Sequence, residues 1–489
     1  MTTVTDPTAV LSTVPTGLLI GGQWRDASGG GTFEVLDPAT GEVLTSVADA
    51  TPEDGMAALD AAAAAQAEWA ATAPRTRAEL LRAAWELTIE RADDLATLMT
   101  LEMGKPLADA RGEVTYGAEF LRWFSEEAPR INGRYQTAPE GTLRILTTKR
   151  PVGPCLFITP WNFPLAMATR KIAPALAAGC TTILKPANAT PLTALAFGQI
   201  LREVGVPDGV VNIIPTNTAQ PVTGPIIQDR RLRKLSFTGS TAVGSALLKE
   251  AADNVLRTSM ELGGCAPFLV FEDADLDAAV AGARLAKLRN MGEACTAANR
   301  LYVHRSIADD FANALTENFR GLRVGPGIEE GTDVGPLISE DQRSKVVELV
   351  SAARDGGARV LLGGDPVDGP GYFYPPTVLT DVPTDSPVMT EEIFGPVAPI
   401  ATFESEEEVI ALANGLDVGL AGYIFTNDMQ RVLRLSERLE VGLVGVNTGL
   451  ISNAAAPFGG VKHSGLGREG GVEGIEEFLE TIYVGIPAT

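Results

Sequence analysis

From Pro151 onward the chain alternates short β-rich runs, "CLFITP", "TTILKP", "VVNIIP" and "KLSFTG", with stretches of helical spacing such as "PLTALAFGQILREVG". Parallel strands need a crossover of helix length between them, so this alternation calls for a parallel sheet with helices on its faces. The pattern restarts at "APFLVFED", runs through "DLDAAVAGARLAKLRN" and "RLYVH", and continues to "VGLVGVNTG". A second α/β unit is therefore expected. Ahead of the strands, residues 51–131 are rich in Ala, Leu and Glu, and "PRTRAELLRAAWELTIERADDLATLMTLEMGK" reads as two helices joined by a short turn. "NGRYQTAPEGTLRILTTKR" alternates like a hairpin and "EEFLETIYVGIP" like a strand, and isolated strands of this kind commonly extend a neighbour's sheet. The polar start of about fifteen residues is expected to be loosely ordered.

A chain of 489 residues exceeds what one core supports, so two or three domains follow. The net charge of -23 repels phosphate backbones and anionic lipid surfaces, and no basic patch offsets it; neither nucleic acid nor membrane is expected as a partner. No apolar run is long enough for a membrane span, and "MTTVTDPTAV" lacks the blocks of a signal peptide. A cytoplasmic protein is expected. Cys155, Cys180, Cys265 and Cys295 are widely spaced with no C-x-x-C pair, and His304 and His463 are the only histidines. Those counts leave little material for a metal centre, a disulfide framework or a Ser-His-Asp triad, so any general base is a carboxylate.

Several motifs sit where strands end. "FITPWNFP" places Trp161 and Asn162 just past a buried strand, between two prolines, where a rigid side-chain amide could serve an oxyanion. In "ILKPANATP" Lys185 ends another strand, within reach of ribose hydroxyls or phosphate. "FTGSTAVG" is strand, then Gly239-Ser240-Thr241, then a helix from about Val243; a helix N-terminus after a glycine suits pyrophosphate, although the spacing is neither G-x-G-x-x-G nor a P-loop. "SMELGGCAPF" puts Glu261 at the junction of the two α/β units, and "NMGEACTAANR" offers Cys295. Taken alone, an isolated Cys reads as packing and a Glu as a solvated surface group.

The joint order of Asn162, Lys185, Gly239-Ser240, Glu261 and Cys295, followed by "EEIFGPV" and "PFGGVKHSGLGRE", resembles the aldehyde dehydrogenase superfamily over essentially the whole chain. The resemblance implies a Rossmann-type cofactor domain (15–128 and 150–260), an α/β catalytic domain (261–446) and a small β oligomerisation extension (129–149 and 472–489), assembled as a homodimer or homotetramer. It implies Cys295 as nucleophile, Glu261 as general base and Asn162 as oxyanion donor. Cofactor contacts carried over are Thr159, Trp161, Asn162, Lys185, Ala187, Asn188, Gly239, Ser240, Leu262, Glu392 and Phe394. The residue types suit the chemistry: a thiolate adds to an aldehyde, hydride leaves to a nicotinamide, and a carboxylate activates the water that hydrolyses the thioester. Acylating members lack a glutamate at the position of Glu261, so a free acid is the expected product. Many NAD-preferring relatives carry Glu where Asn188 stands, so NADP is the expected cofactor, with NAD tolerated. No metal is expected.

Within the superfamily, "TRKIAPALAAGC", "KLRNMGEAC", "NTGLISNAAAPFGG" and "SGLGREGG" resemble succinate-semialdehyde dehydrogenases. That resemblance implies Arg170, Arg289 and Ser452 as holders of the substrate's distal carboxylate. Structural ion pairing is the competing fate for both arginines in so acidic a chain. Glutarate semialdehyde or another aldehyde is the rival substrate; a cysteine hydrolase and a non-catalytic scaffold are rival classes, disfavoured by the cofactor motifs and by retention of both Cys295 and Glu261. Three positions depart from the pattern: Glu293 stands where many relatives have Gln, Ala297 where some have a second redox cysteine, and Thr216 where a glycine is usual.

Overall fold

The computed structural model describes residues 6–488. The expected loose start lies partly outside them, at residues 1–5; the rest of it is a helix, Pro7–Thr13, capped by the Asp6 side chain and anchored by buried Val10. The composition had hidden this because one buried valine and a cap suffice to dock a two-turn helix on a larger body. The two helices of the Ala-rich block appear as Pro74–Glu90 and Ala92–Met103.

Five parallel strands form the heart of the first sheet, in the spatial order Val211–Ile213, Thr182–Lys185, Cys155–Ile158, Lys234–Thr238, Arg257–Glu261. The first of these in sequence, Cys155–Ile158, is central, and the order reverses between it and Lys234–Thr238. In open α/β sheets that reversal leaves a crevice at the carboxyl ends where ligands sit. The residues after both strands, Thr159–Asn162 and Gly239–Ser240, are those singled out from the sequence.

The second sheet has the order Arg359–Leu362, Thr377–Thr380, Val397–Phe403, Ala298–His304, Ala266–Val270, Ala421–Phe425, Leu443–Val446, parallel apart from its first, antiparallel edge strand. Glu261 ends the last parallel strand of the first sheet and Ala266 begins a strand of the second. The carboxyl edge of one sheet thus passes straight into the amino edge of the other, and the cleft lies along that seam. A third sheet pairs Leu479–Pro487 with the hairpin Arg134–Thr137 and Leu143–Pro151, which joins the two strand-like segments that the sequence had left isolated. Among the described residues no helix is long and apolar enough to cross a membrane.

Candidate active site

Asn162 is held by the turn it occupies. Strand Cys155–Ile158 stops before Pro160, and Pro164 opens the buried helix Pro164–Ala178. The first amides of that helix, on Leu165 and Ala166, donate to Glu113 at 2.9 and 3.1 Å, so a carboxylate meets the positive helix end. Lys105 ties the arrangement together by donating to both Glu113 and the Asn162 carbonyl, the latter at 2.7 Å. One N–H of the Asn162 amide donates to the Glu293 carbonyl at 2.9 Å, which leaves its second N–H to aim elsewhere.

Cys295 follows a strained turn. After helix Leu276–Leu288 come three consecutive left-handed residues, Asn290 (φ 56°), Met291 (φ 55°) and Gly292 (φ 78°). Asn and Gly tolerate that region, but Met costs about 1–3 kcal/mol there and must be held by its surroundings. The hold is visible: Asn290 N–H donates to Asp109 at 2.7 Å, and an added Cβ at Gly292 would lie 2.3 Å from the Gly395 carbonyl. The thiol remains partly exposed; the protein packed around it pushes its pKa up to about 12, with the nearby Arg170 guanidinium pulling the other way.

Glu261 is buried, and its Oε2 has no hydrogen-bond partner. Burial first, and then the charge of Glu469, raise its pKa well above the ordinary carboxylate range, against the opposing pull of Arg170, Lys171 and Arg468. Behind it Glu469 forms ion pairs with Arg170 and Lys171, and although burial works against its charge, those two cations hold it below its ordinary value.

Cys295, Glu261 and Asn162 line one cleft together with Trp161, Gly239, Ser240, Leu262, Glu392 and Phe394. The helix expected from about Val243 begins earlier, at Thr241, because the Ser240 hydroxyl caps it by accepting from the Val243 N–H. Glu392 accepts from the Gly264 N–H at 3.2 Å, and burial raises its pKa to about 7; Phe394 meets Trp161 edge to face at 5.6 Å. Thr159, Lys185, Ala187 and Asn188 do not line this cleft but continue along the same carboxyl edge, where Thr159 N–H donates to the Lys185 carbonyl at 3.2 Å. The Lys185 ammonium has no ion pair among the described residues, and burial lowers its pKa to about 8. The capped helix N-terminus and Glu392 line the cleft, and the unpaired Lys185 ammonium sits at the neighbouring strand end on the same carboxyl edge. That donor set fits the phosphates and ribose hydroxyls of a dinucleotide.

Four cleft residues escaped the sequence reading: Met167, Thr238, Gln342 and Lys345. Gln342 donates to the Ile393 and Phe394 carbonyls, and Lys345 to that of Glu392. Gln342 and Lys345 come from the helix Glu340–Asp355, which reads as an ordinary polar helix, so no local signal marked these two.

The three residues expected to hold a carboxylate fall into two places. Arg289 and Ser452 line a second cavity with Tyr116 and Phe163, and the Arg289 guanidinium lies 4.8 Å over the Phe163 ring without an ion pair among the described residues. Arg170 is 1% exposed, stacked at 4.3 Å on Phe458 and paired with Glu469. It lines neither cavity. No cluster of His, Cys, Asp and Glu among the described residues could hold a metal ion.

The family model "Aldehyde dehydrogenase family" matches residues 24–484. The chain belongs to that family. It is 60% identical over 444 residues to a succinate-semialdehyde dehydrogenase of Paenarthrobacter nicotinovorans, covering 91% of this chain and 99% of that one. A glutarate-semialdehyde dehydrogenase of Pseudomonas putida is 49% identical over 465 residues, covering 95% and 96%. The solved structure of an NADP-dependent enzyme from E. coli superposes with a TM-score of 0.97 at 46% identity, over 99% of this chain and 100% of that one. The aldehyde dehydrogenase fold expected from the sequence is the fold observed.

Proposed function

We propose that this aldehyde dehydrogenase oxidises succinate semialdehyde to succinate with NADP, NAD being tolerated. The observation that carries the reading is the convergence of Cys295, Glu261 and Asn162 on one cleft, beside a second cavity in which Arg289 has no ion pair among the described residues. The carboxylates that also line that cavity, Asp109 and Glu113, are engaged by the Asn290 N–H and by Lys105.

The Cys295 thiol gives up its proton to water in the open cleft, with the Arg170 guanidinium favouring the thiolate. The thiolate adds to the aldehyde carbon, and the free N–H of Asn162 together with the Cys295 backbone N–H stabilises the oxyanion of the thiohemiacetal. When bound, the nicotinamide supplies the hydride acceptor. Glu261 then takes a proton from water, which hydrolyses the thioester on Cys295 and releases the acid. Its raised pKa suits this base role, because a carboxylate that binds a proton more tightly draws one from water more readily. Arg289 and Ser452 grip the distal carboxylate, while Arg170, its charge already shared with Glu469, adds positive field from behind the thiol.

The NADP preference rests on Asn188. Its amide donates to Asn217 at 2.8 Å, so no carboxylate stands at that position to repel a 2′-phosphate, and Lys185 nearby is unpaired. The P. putida relative supports glutarate semialdehyde as the second reading, since an anion site at the cavity rim also accepts one more methylene. We take 15–128 and 150–260 as the cofactor domain, 261–446 as the catalytic domain, and the sheet of 129–149 and 472–489 as the contact with a second copy in a dimer or tetramer. Exposed Tyr135, Val484 and Ile486, at 66%, 39% and 46%, lie on one side of that sheet by register and give it an apolar face. Four free thiols suit a reducing cytoplasm.

A matrix of aldehydes against NADP and NAD, followed by absorbance of the reduced nicotinamide, tests the reading. Succinate semialdehyde with NADP is expected to give the highest kcat/KM; preference for an uncharged aldehyde or for NAD overturns the corresponding half. Arg289→Ala is expected to raise KM for succinate semialdehyde about 10- to 100-fold, the loss of a charged hydrogen-bond pair, while leaving KM for propanal unchanged.

A further inference from the structure

Glu293 has no part in the mechanism above, yet it lies two residues before the nucleophile and is 0% exposed. Its backbone is a junction. The carbonyl accepts from the Asn162 amide and from the Asn290 amide, each at 2.9 Å, and its N–H donates to the Asn290 carbonyl at 2.9 Å. The Asn290 amide also donates to the Asn162 carbonyl at 3.1 Å, so the left-handed turn and the oxyanion amide are stitched together at this residue.

The side chain reaches the opposite way. Oε1 accepts from the Ile338 N–H at 3.1 Å, and Oε2 has no partner. Ile338 immediately precedes Ser339, whose hydroxyl caps the helix Glu340–Asp355. That is the helix whose Gln342 and Lys345 grip the carbonyls of Glu392, Ile393 and Phe394. One hydrogen bond from one side chain therefore connects the nucleophile turn to the base of the helix that carries the cofactor segment.

A carboxylate in this setting would be a buried charge with a single hydrogen bond, which costs several kcal/mol unless a cation faces it. The charged groups around the turn are otherwise engaged. Lys105 is bound by Glu113 and the Asn162 carbonyl, Asp109 receives the Asn290 N–H, and Arg289 lies over Phe163. Cys295 faces the cleft, and the segment Pro336–Ile338 brings no titratable side chain. Burial correspondingly pushes the Glu293 carboxyl well above its ordinary range, against the opposing pull of the Ile338 N–H hydrogen bond and then of Lys105.

We infer that Glu293 is a positioning residue which, as an uncharged acid, locks the Cys295 turn and the Asn162 amide to the helix holding the Glu392–Phe394 segment. It acts through the oxyanion amide and the cofactor segment and touches neither aldehyde nor cofactor. The inference rests on the roles given above to Cys295 and Asn162, and it is independent of which aldehyde is oxidised.

The test compares Glu293→Gln with Glu293→Leu on any aldehyde that the wild type oxidises. Gln keeps the acceptor oxygen for Ile338 and carries no charge; Leu keeps the bulk and loses the acceptor. Glu293→Gln is expected to hold kcat within about twofold and to melt at or above the wild type at pH 7, because it lacks an acid whose raised folded pKa loses stability as pH rises above the unfolded value. Glu293→Leu is expected to lower kcat about tenfold and raise the cofactor KM severalfold with the aldehyde KM little changed, as misplaced catalytic groups do. Wild-type kinetics in Glu293→Leu, or a loss in Glu293→Gln as deep as in Glu293→Leu, overturns the inference. If the wild type oxidised no aldehyde at all, the earlier reading would fail instead, so the two failures are distinguishable.

Discussion

Glu261 and Glu293 flank the same nucleophile, are both buried, and both have a carboxyl oxygen without a partner. Their surroundings differ. Glu261 faces the cleft with Arg170, Lys171 and Arg468 within electrostatic reach and Glu469 opposing them; Glu293 faces the protein interior, with a backbone N–H and one cation that is already engaged. Burial is the largest cause of the rise in both carboxyls, so a raised pKa does not by itself mark a catalytic group. The cleft and the ring of balanced charges make Glu261 able to exchange its proton with a water molecule, whereas the same acid on the inner side can only hold structure.

The comparison is broken most severely at Glu261. Glu261→Gln is expected to lower steady-state kcat about 10²- to 10⁴-fold, the range for losing a general base, while acylation of Cys295 still proceeds. Stopped-flow and steady-state rates on one sample check this.

Glu469→Gln comes next. Arg170 and Lys171 would then lie buried without their carboxylate, an arrangement that costs about 3–5 kcal/mol, measurable as a lower urea midpoint. Glu469 has a folded pKa below its unfolded value of 4.5. Its contribution is thus present above pH 4.5 and is lost as pH falls through the folded value; the gap between wild type and variant should close on acidification. Glu469 is also the chief charge raising Glu261, so its removal should shift the rising limb of the kcat profile to lower pH. A shift to higher pH would contradict the charge assignment.

A smaller effect is expected from pH on the wild type itself. Hydrolysis requires Glu261 deprotonated, and its pKa is raised, so kcat should climb through a pH range above that of an ordinary carboxylate rather than reach a plateau near pH 5. In Glu261→Gln that limb should vanish, whereas in Glu293→Gln it should remain.

The sequence made the architecture legible because strand and helix periodicities alternate so regularly from Pro151 onward. It also supplied Asn162, Glu261 and Cys295, though only as a set arriving at one seam from three strand ends. The short N-terminal helix was missed because its stability comes from docking rather than propensity. Gln342 and Lys345 were missed because they hold the site through backbone carbonyls, which leave no mark on the pattern of side chains. Arg170 and Arg289 looked equivalent in sequence; the difference between them is Glu469, distant in the chain and adjacent in space. Glu293 was visible as an anomaly without an explanation, since its partner, the Ile338 N–H, is a backbone group.

The most direct test is a rapid-mixing burst experiment with saturating NADP and succinate semialdehyde on Glu261→Gln and Glu293→Gln side by side. Glu261→Gln should release about one equivalent of NADPH per Cys295 and then stall at the thioester, the fingerprint of acylation without hydrolysis. Glu293→Gln should continue turning over at close to the wild-type rate. Undiminished turnover in Glu261→Gln, or a stalled burst in Glu293→Gln, would contradict the division of labour between the two buried acids.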